Sequence, residues 1–506
     1  MKHLKYSLFA VIGLTAGLSL TSVGVVFSQT SNETDRLAGF SSYVEKKMQE
    51  WKIPGMAIGV IQNDSVIFLK GFGFRDVDKK LPVTPQTLFG TASISKTFTA
   101  ATAGILYDEG KLGWNTPIVD YLPDFRMYDE YATFHTNIRD LLSHRTGLSS
   151  YSDLMVDVWP HERDEIYKRL RYLKPNLGFR EWYQYSNVSF VIAGAIVGKL
   201  AGDTWEHFVE KKIFKPLGMT HSNFGLQIEN SDDFSYSYKY ENGRFVKLPF
   251  YTRPAGHPSG GINSSASEMV HWLRLHLNNG QFDKKQVLSP TSLSVIKNPL
   301  TFFNYSEEKQ WPPTMFASMG WDHQFYSGFH LLSKGGISGF SGYLSFMPQE
   351  KIGIIILTNN REALGLTHYL TYSIYDLLLN IKGFSWNKLI DDERPQYEVS
   401  SNKSDKKPQA QSEKASYPRE KYIGSYEHDA YGKAVVSLEN GEMQVKFNTS
   451  FIWPLEYCFQ SVFKTEYDGA TIRFAFSQDT AGNIASLEME IEGTGFKVVY
   501  KRLPDR

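Results

Sequence analysis

Ser93 and Lys96 stand three residues apart in the segment Phe89-Gly90-Thr91-Ala92-Ser93-Ile94-Ser95-Lys96-Thr97-Phe98-Thr99-Ala100. A turn-forming glycine and small residues lead there into a helix-permitting run, Thr99-Ala100-Ala101-Thr102-Ala103-Gly104-Ile105-Leu106. If Ser93 opens that helix, Lys96 falls about one turn on, on the same face. A serine alcohol becomes a nucleophile when a base takes its proton, and a neutral amine beside it can serve. Burial and a second cation both lower a lysine pKa and so supply the neutral form. The helix N-terminus favours negative charge growing on the serine. The pair therefore suits acyl transfer through a covalent serine intermediate. The spacing alone is loose. Ser294/Lys297, Ser306/Lys309 and Ser461/Lys464 share it, and each reads as a solvated helix or strand face.

Two further groups follow in an order that fits this chemistry. Tyr185-Ser186-Asn187 precedes the helical run Val191–Val197 and so sits at a helix entrance. A tyrosine hydroxyl shuttles protons if nearby cations lower its pKa. An asparagine orients a lysine or a substrate amide. The rival match Tyr240-Glu241-Asn242 runs into Asn242-Gly243, a hairpin turn in a polar stretch. Lys334-Gly335-Gly336-Ile337 comes next, where strand character returns; the lysine supplies a cation and the glycines admit a close backbone approach. His144 tempts as a base for Ser93 but reads as structural. His271 and His276, on one helical stretch, read as surface residues.

The elements that must position these groups come from both ends of the chain. Asp35–Trp51 has an amphipathic helical pattern. The runs Gly55–Ile61 and Ser65–Gly71, separated by Gln62-Asn63-Asp64, form a hairpin signal. From Ser93 to about Leu288 the pattern is mostly helical, as in 136–143, 189–200, 205–213 and 266–277. Gly342–Met347 and Lys351–Leu357 are strand-like around the turn Pro348-Gln349-Glu350, and Ala363–Leu379 closes as a helix. An early hairpin, a helical middle and a late hairpin with a helix predict an α+β fold. Its antiparallel sheet would be built from both ends and flanked by helices, with a helical subdomain beside it.

The chain divides further by composition. Residues 1–28 read as a signal peptide, with Lys2 and Lys5 before an apolar run from Leu8 to Phe27 and cleavage after Ser28. That run approaches spanning length, so an uncleaved membrane anchor is the alternative. Residues 35–390 form the main domain, and 395–417 a polar, Pro-bearing linker. Residues 418–506 carry short evenly spaced strands, Ala434–Leu438, Glu442–Phe447, Ala470–Phe476, Ser486–Ile491 and Lys497–Tyr500, which predict a small barrel or sandwich. The 506 residues carry 54 basic and 54 acidic side chains, and that balance argues against a nucleic-acid binder. Neither a metal motif such as H-E-x-x-H nor a P-loop occurs; Gly71-Phe72-Gly73 is a strand-end turn. Cys458, the single cysteine, forms no internal disulfide and reads as a buried apolar residue.

In this order, S-x-x-K, then Y-x-N, then K-G-G, the chain resembles the serine β-lactamase and penicillin-binding-protein superfamily. It looks most like the class C-type branch that includes D,D-peptidases, D-aminopeptidases and esterases. Further support comes from Trp51-Lys52-Ile53-Pro54-Gly55, Leu141-Leu142-Ser143-His144-Arg145-Thr146-Gly147, Pro258-Ser259-Gly260-Gly261 and Gly339-Phe340-Ser341-Gly342. The segments Tyr422–His428 and Tyr431-Gly432 look like the lipocalin-like domain attached to some of these hydrolases. The resemblance implies an exported, cofactor-free serine hydrolase acting on small peptides or esters. In it Ser93 is acylated, Lys96 is the base and Tyr185 carries the proton. Asn187 orients Lys96 and the substrate amide, and Lys334 keeps the potential positive. Gly336 allows close approach, and the N–H groups of Ser93 and Ile337 form an oxyanion hole. Gly335 stands where the common third motif has threonine, which puts recognition of a substrate carboxylate in doubt. The alternatives are a carboxylesterase with little peptidase or β-lactamase activity, and a catalytically inactive cell-wall-binding homologue. The intact Ser93, Lys96, Tyr185 and Lys334 argue against the last.

Overall fold

The computed structural model describes residues 35–148, 150–159, 162–250, 253–303, 314–395, 416–448, 451–467, 470–493 and 496–504. The N-terminal apolar segment, the pair Ser306/Lys309 and residues 396–415 of the linker lie outside the described residues.

Both ends of the larger part of the chain meet in one nine-stranded antiparallel sheet. Its strands are β1 (Gly55–Gln62), β2 (Ser65–Asp76), β3 (Leu81–Pro82), β4 (Thr301–Phe302), β5 (Thr314–Ala317), β6 (Asp322–Tyr326), β7 (Phe329–Ser338), β8 (Phe340–Met347) and β9 (Ile352–Thr358). The order across the sheet is β4-β5-β6-β7-β8-β9-β1-β2-β3, so the first strand lies directly against the last. Met56 pairs with Thr358 and Gln62 with Ile352. The β1–β2 turn works because Asn63 and Asp64 both take positive φ, 50° and 67°, as the tight hairpin demands.

The central strands are apolar on both faces because helices cover both. The relevant helices are α1 (Phe40–Glu50), α2 (Ser95–Asp108), α3 (Asn187–Ala201), α4 (Ala266–Leu277) and α5 (Leu364–Leu379). Met56, Ile58 and Val60 pack with Val44 of α1 and Leu370 and Ile374 of α5. Ala57 and Ile61 face the other way, into the cluster that holds α2, α3 and α4. This period of two is what a strand between two layers requires. Each fully buried aliphatic side chain contributes about 1.5–3 kcal/mol.

α2 is buried continuously from Ser95 to Leu106, so it has no solvent face and no amphipathic stripe to read. Its threonines are accommodated by backbone acceptors: Thr97 donates to Ile94 O at 2.8 Å, Thr99 to Pro258 O at 2.6 Å and Thr102 to Thr99 O at 2.7 Å. The helix expected over 136–143 begins only at Ile138, because Asn137 and Asp140 form a capping box. The one expected over 205–213 runs on through a π turn at Glu210–Phe214 to Leu217.

The C-terminal strands close into an eight-stranded antiparallel barrel, which resolves the choice between barrel and sandwich. Besides the five expected strands it uses Gly424–His428, Phe451–Phe459 and Val462–Tyr467. Tyr426, Val436, Val445, Phe474 and Tyr500 fill its interior. The barrel is joined to the segment after Asp153: Trp159 Nε1 donates to Ala430 O at 3.1 Å and Asn448 Nδ2 to Val158 O at 2.6 Å.

Three side chains differ from expectation. Cys458 is half-buried, one residue before the end of a barrel strand. His276 is buried against Trp272, Trp321 and Phe346, since α4 lies between the sheet and the helical layer. His271 is half-buried with Nδ1 2.8 Å from Leu217 O.

Candidate active site

A strained turn presents Ser93. Thr91 donates both its N–H and its hydroxyl to Ile262 O, at 2.9 and 2.8 Å. Ala92 then takes φ of 47°, a left-handed conformation that a residue with a Cβ adopts at a cost. The 3-10 turn Ala92–Ile94 feeds straight into α2. Ser93 is thereby half-buried at the helix mouth, and Lys96 is buried one turn in.

Lys96 Nζ has three oxygen neighbours: Asn187 Oδ1 at 2.5 Å, Ser259 O at 2.6 Å and Ser93 Oγ at 3.1 Å. Two of these are carbonyl oxygens, which only accept. An amine that has lost one proton keeps its two N–H groups on Asn187 and Ser259. Its lone pair is then left for Ser93 Oγ. Burial, and next the charge of Lys334, hold Lys96 well below the usual lysine range. Geometry and electrostatics thus both favour a free amine aimed at the serine.

Tyr185 places its hydroxyl 2.5 Å from Ser93 Oγ. The sequence suggested that cations lower its pKa; the structure gives the opposite sign. Withdrawal from water, opposed by the Ser93 hydrogen bond but reinforced by the Asp153 and Asp322 carboxylates, raises the phenol above its ordinary value. The arrangement suits a protonated tyrosine that passes a proton along, with Lys96 as the group that accepts one. The ring is held by His144, whose imidazole stacks on it at 4.7 Å and whose Nδ1 accepts the Ser186 N–H at 3.1 Å. His144 therefore braces the 184–186 loop, and no hydrogen bond joins it to Ser93.

Asn187 is the first residue of α3, which Ser186 caps by accepting the Ser189 N–H at 3.3 Å. Its Nδ2 donates to Asp153 Oδ2 at 2.7 Å. Lys334, on β7, is 4 % exposed and donates to both oxygens of Asp322 at 3.2 Å. The two amines lie over the Tyr185 ring, Lys96 at 4.8 Å and Lys334 at 5.7 Å from its centroid. Gly336 brings β7 against the turn that carries Ser93: a Cβ there would lie 2.5 Å from Thr91 O and 3.0 Å from Ser93 N. Gly335 faces the other way, toward Leu364, Tyr343 and His368 at 3.6–3.8 Å. Ile337 follows with its side chain 42 % exposed.

The structure brings Ser93, Lys96, Tyr185, Asn187 and Lys334 together and leaves their rivals apart. Ser294 is exposed, while Lys297 donates to His276 O. Ser461 lies in a barrel turn against Tyr422. Asn242 forms the turn of a small hairpin, with φ of 50°. An open surface hollow of about 690 Å³, lined by Arg163, Glu206, Phe224 and His257, contains none of the site groups. Sequence reasoning missed Asp153, Asp322 and the role of the Ser259 carbonyl. Asp322 was within reach, since it pairs with Ser333 across the β6–β7 hairpin, one residue from Lys334. Asp153 carries no motif.

Comparison with known proteins agrees with this geometry. The model of the Beta-lactamase family matches residues 40–378, and that of a domain of unknown function, DUF3471, matches residues 408–503. An unguisins hydrolase of Aspergillus campestris is 28% identical over 433 residues, which is 81% of this chain and 80% of that protein. The protein flp of Staphylococcus aureus is 25% identical over 328 residues, 62% of this chain and 61% of that one. Among solved structures, the octameric penicillin-binding protein homologue from Pyrococcus abyssi superposes with a TM-score of 0.59 at 22% identity, covering 92% of this chain and 100% of that one. A class C beta-lactamase superposes with a TM-score of 0.58 at 20% identity, covering 71% of this chain and 99% of that one.

Proposed function

The chain belongs to the beta-lactamase family of serine hydrolases, and from that premise we propose that it is an exported hydrolase working through an acyl-enzyme on Ser93. The observation that carries the reading is the set of acceptors around Lys96, which leaves its lone pair for Ser93 Oγ. In the acylation step Ser93 Oγ attacks the substrate carbonyl and its proton passes to Lys96 Nζ. The N–H groups of Ser93 and Ile337 hold the developing oxyanion, where one such donor is worth roughly 3–4 kcal/mol. Tyr185 gives its proton to the leaving group and regains one from Lys96. Water then enters by the same route in reverse and releases the acid.

Peptides and esters are the substrate classes this site serves. The relatives named unguisins hydrolases support hydrolysis as the reaction. Gly335 does not separate the ester reading from the β-lactam one, because a side chain there would face Leu364, Tyr343 and His368 and not the site. Export rests on Lys2, Lys5 and the apolar run that follows.

Fluorophosphonate labelling with peptide mapping should place a single adduct on Ser93 and none on the Ser93→Ala protein. An adduct on Ser294 or Ser461 overturns the assignment. A panel of D-Ala-D-Ala peptides, D-amino-acid amides, p-nitrophenyl esters and nitrocefin then identifies the substrate class.

A further inference from the structure

Asp153 is a half-buried carboxylate that no sequence motif marks. It ends the 3-10 turn Ser150–Asp153 and accepts three hydrogen bonds, all from the start of α3. These come from Asn187 N at 2.6 Å, Val188 N at 3.1 Å and Asn187 Nδ2 at 2.7 Å. The two backbone donors are orphan N–H groups of a helix N-terminus, where a carboxylate is favourably placed. The side-chain donor has a different consequence. An amide has one donating and one accepting end, and which end points where is set by its partners. A carboxylate only accepts, so Asn187 must turn Nδ2 to Asp153 and Oδ1 to Lys96.

We propose that Asp153 is the positioning residue of this site: by fixing the direction of the Asn187 amide it keeps an acceptor on Lys96 and so aims the Lys96 lone pair at Ser93. This rests on Ser93 and Lys96 being the nucleophile and its base. Were the amide reversed, Lys96 would face an NH2 group at 2.5 Å, two donors in contact. The amine would then have to spend its lone pair on Asn187 and lose its aim.

The groups facing Asp153 come from four directions. Asn187 and Val188 belong to α3, and Lys96 to α2, beyond the Asn187 amide. Tyr185 lies in the preceding loop, and Tyr431 is contributed by the barrel. Both phenols are raised first by burial, with the Asp153 charge adding to it. Burial also lifts Asp153 itself to about 7 against the hydrogen bonds that favour its anion.

The test reverses the polarity without changing the shape. Asp153→Asn can still accept from the backbone, but its NH2 meets that of Asn187 and forces the amide round. With p-nitrophenyl acetate, kcat should fall about 100-fold, the size expected for a misaligned reacting group, with KM within about threefold of wild type. The exchange Asp153→Asn with Asn187→Asp restores a complementary pair and should recover at least tenfold of the loss. Because that exchange also sets a carboxylate against Lys96, its acidic limb should lie at higher pH than that of wild type. If Asp153→Asn does not fold, the double variant carries the test alone. Active protein with a raised limb supports the proposal; a limb in the wild-type position overturns it. A folded Asp153→Asn protein with wild-type kcat also overturns it, as does a double variant no better than the single one. Labelling of Ser93 in wild type, absent in Ser93→Ala, keeps the underlying assignment separate from these outcomes.

Discussion

Lys96 and Lys334 differ in what their surroundings leave them. Lys334 has a carboxylate, Asp322, at 3.2 Å on both oxygens, whereas Lys96 has only neutral oxygens within hydrogen-bond reach. In the proposed mechanism the first is the electrostatic partner and the second the proton acceptor. The pH dependence follows with a definite sign. The proposed mechanism requires the free amine of Lys96, so kcat/KM should rise with pH and level off above its depressed pKa. Burial is the larger cause of the depression and Lys334 the next, while Asp153 and then Asp322 act in the opposite direction. Lys334→Met removes a lowering influence and leaves Asp322 unpaired. Both changes raise Lys96, so the acidic limb should move to higher pH. A pH–rate profile with p-nitrophenyl acetate checks this; a limb that moves down would mean that the titrating base is another group.

Elements decide which of these residues meet, and they were unevenly legible in the sequence. β1, β8, β9, α4 and α5 were readable within a residue or two, because strands buried on both faces and long helices leave strong patterns. Of the strand Phe451–Phe459 only the end around Cys458, between Tyr457 and Phe459, reads as strand-like in sequence, for Pro454 interrupts the pattern. Ser93, Lys96 and Tyr185 were readable because each motif is local. Asp153 was not, since its partner is 34 residues away and chosen only by the packing of a 3-10 turn on α3. The third motif shows the same division. Its two glycines look alike in sequence, yet the strand turns them to opposite faces. A methyl at Gly336 meets the backbone of Thr91 and Ser93, whereas one at Gly335 finds ordinary contacts. Gly336→Ala should therefore cost about 1–3 kcal/mol of stability as an overpacked site and lower ester turnover at least tenfold. Gly335→Ala should change either little. Thermal melts and p-nitrophenyl acetate kinetics on the two proteins separate the faces; equal effects would show that the strand does not lie as described.

At the scale of the whole molecule the barrel is a neighbour of the site's support. The helix Leu154–Val158 follows Asp153 directly and ends at Trp159. Trp159 reaches Ala430 O, lies 4.7 Å under the Arg169 guanidinium, and stands beside Val158, whose carbonyl accepts from Asn448. Arg169 in turn donates to Asp429 O at 2.6 Å. Barrel residues and the helical layer share one buried apolar cluster, packed with Trp159 at its margin. A rigid seat on this segment restrains Asp153, and through it Asn187 and Lys96. Loosening the seat should therefore be felt at Ser93. Trp159→Ala in the full-length chain removes the indole hydrogen bond, the cation–π contact and the packing. Trp159 is half-buried, so the loss should fall near the lower end of the roughly 3–5 kcal/mol of a core tryptophan. The protein should then melt in two calorimetric transitions in place of one. Its fluorophosphonate labelling should slow several-fold, with the adduct still on Ser93. A single transition together with wild-type labelling would mean that the barrel rides on the hydrolase without supporting its site.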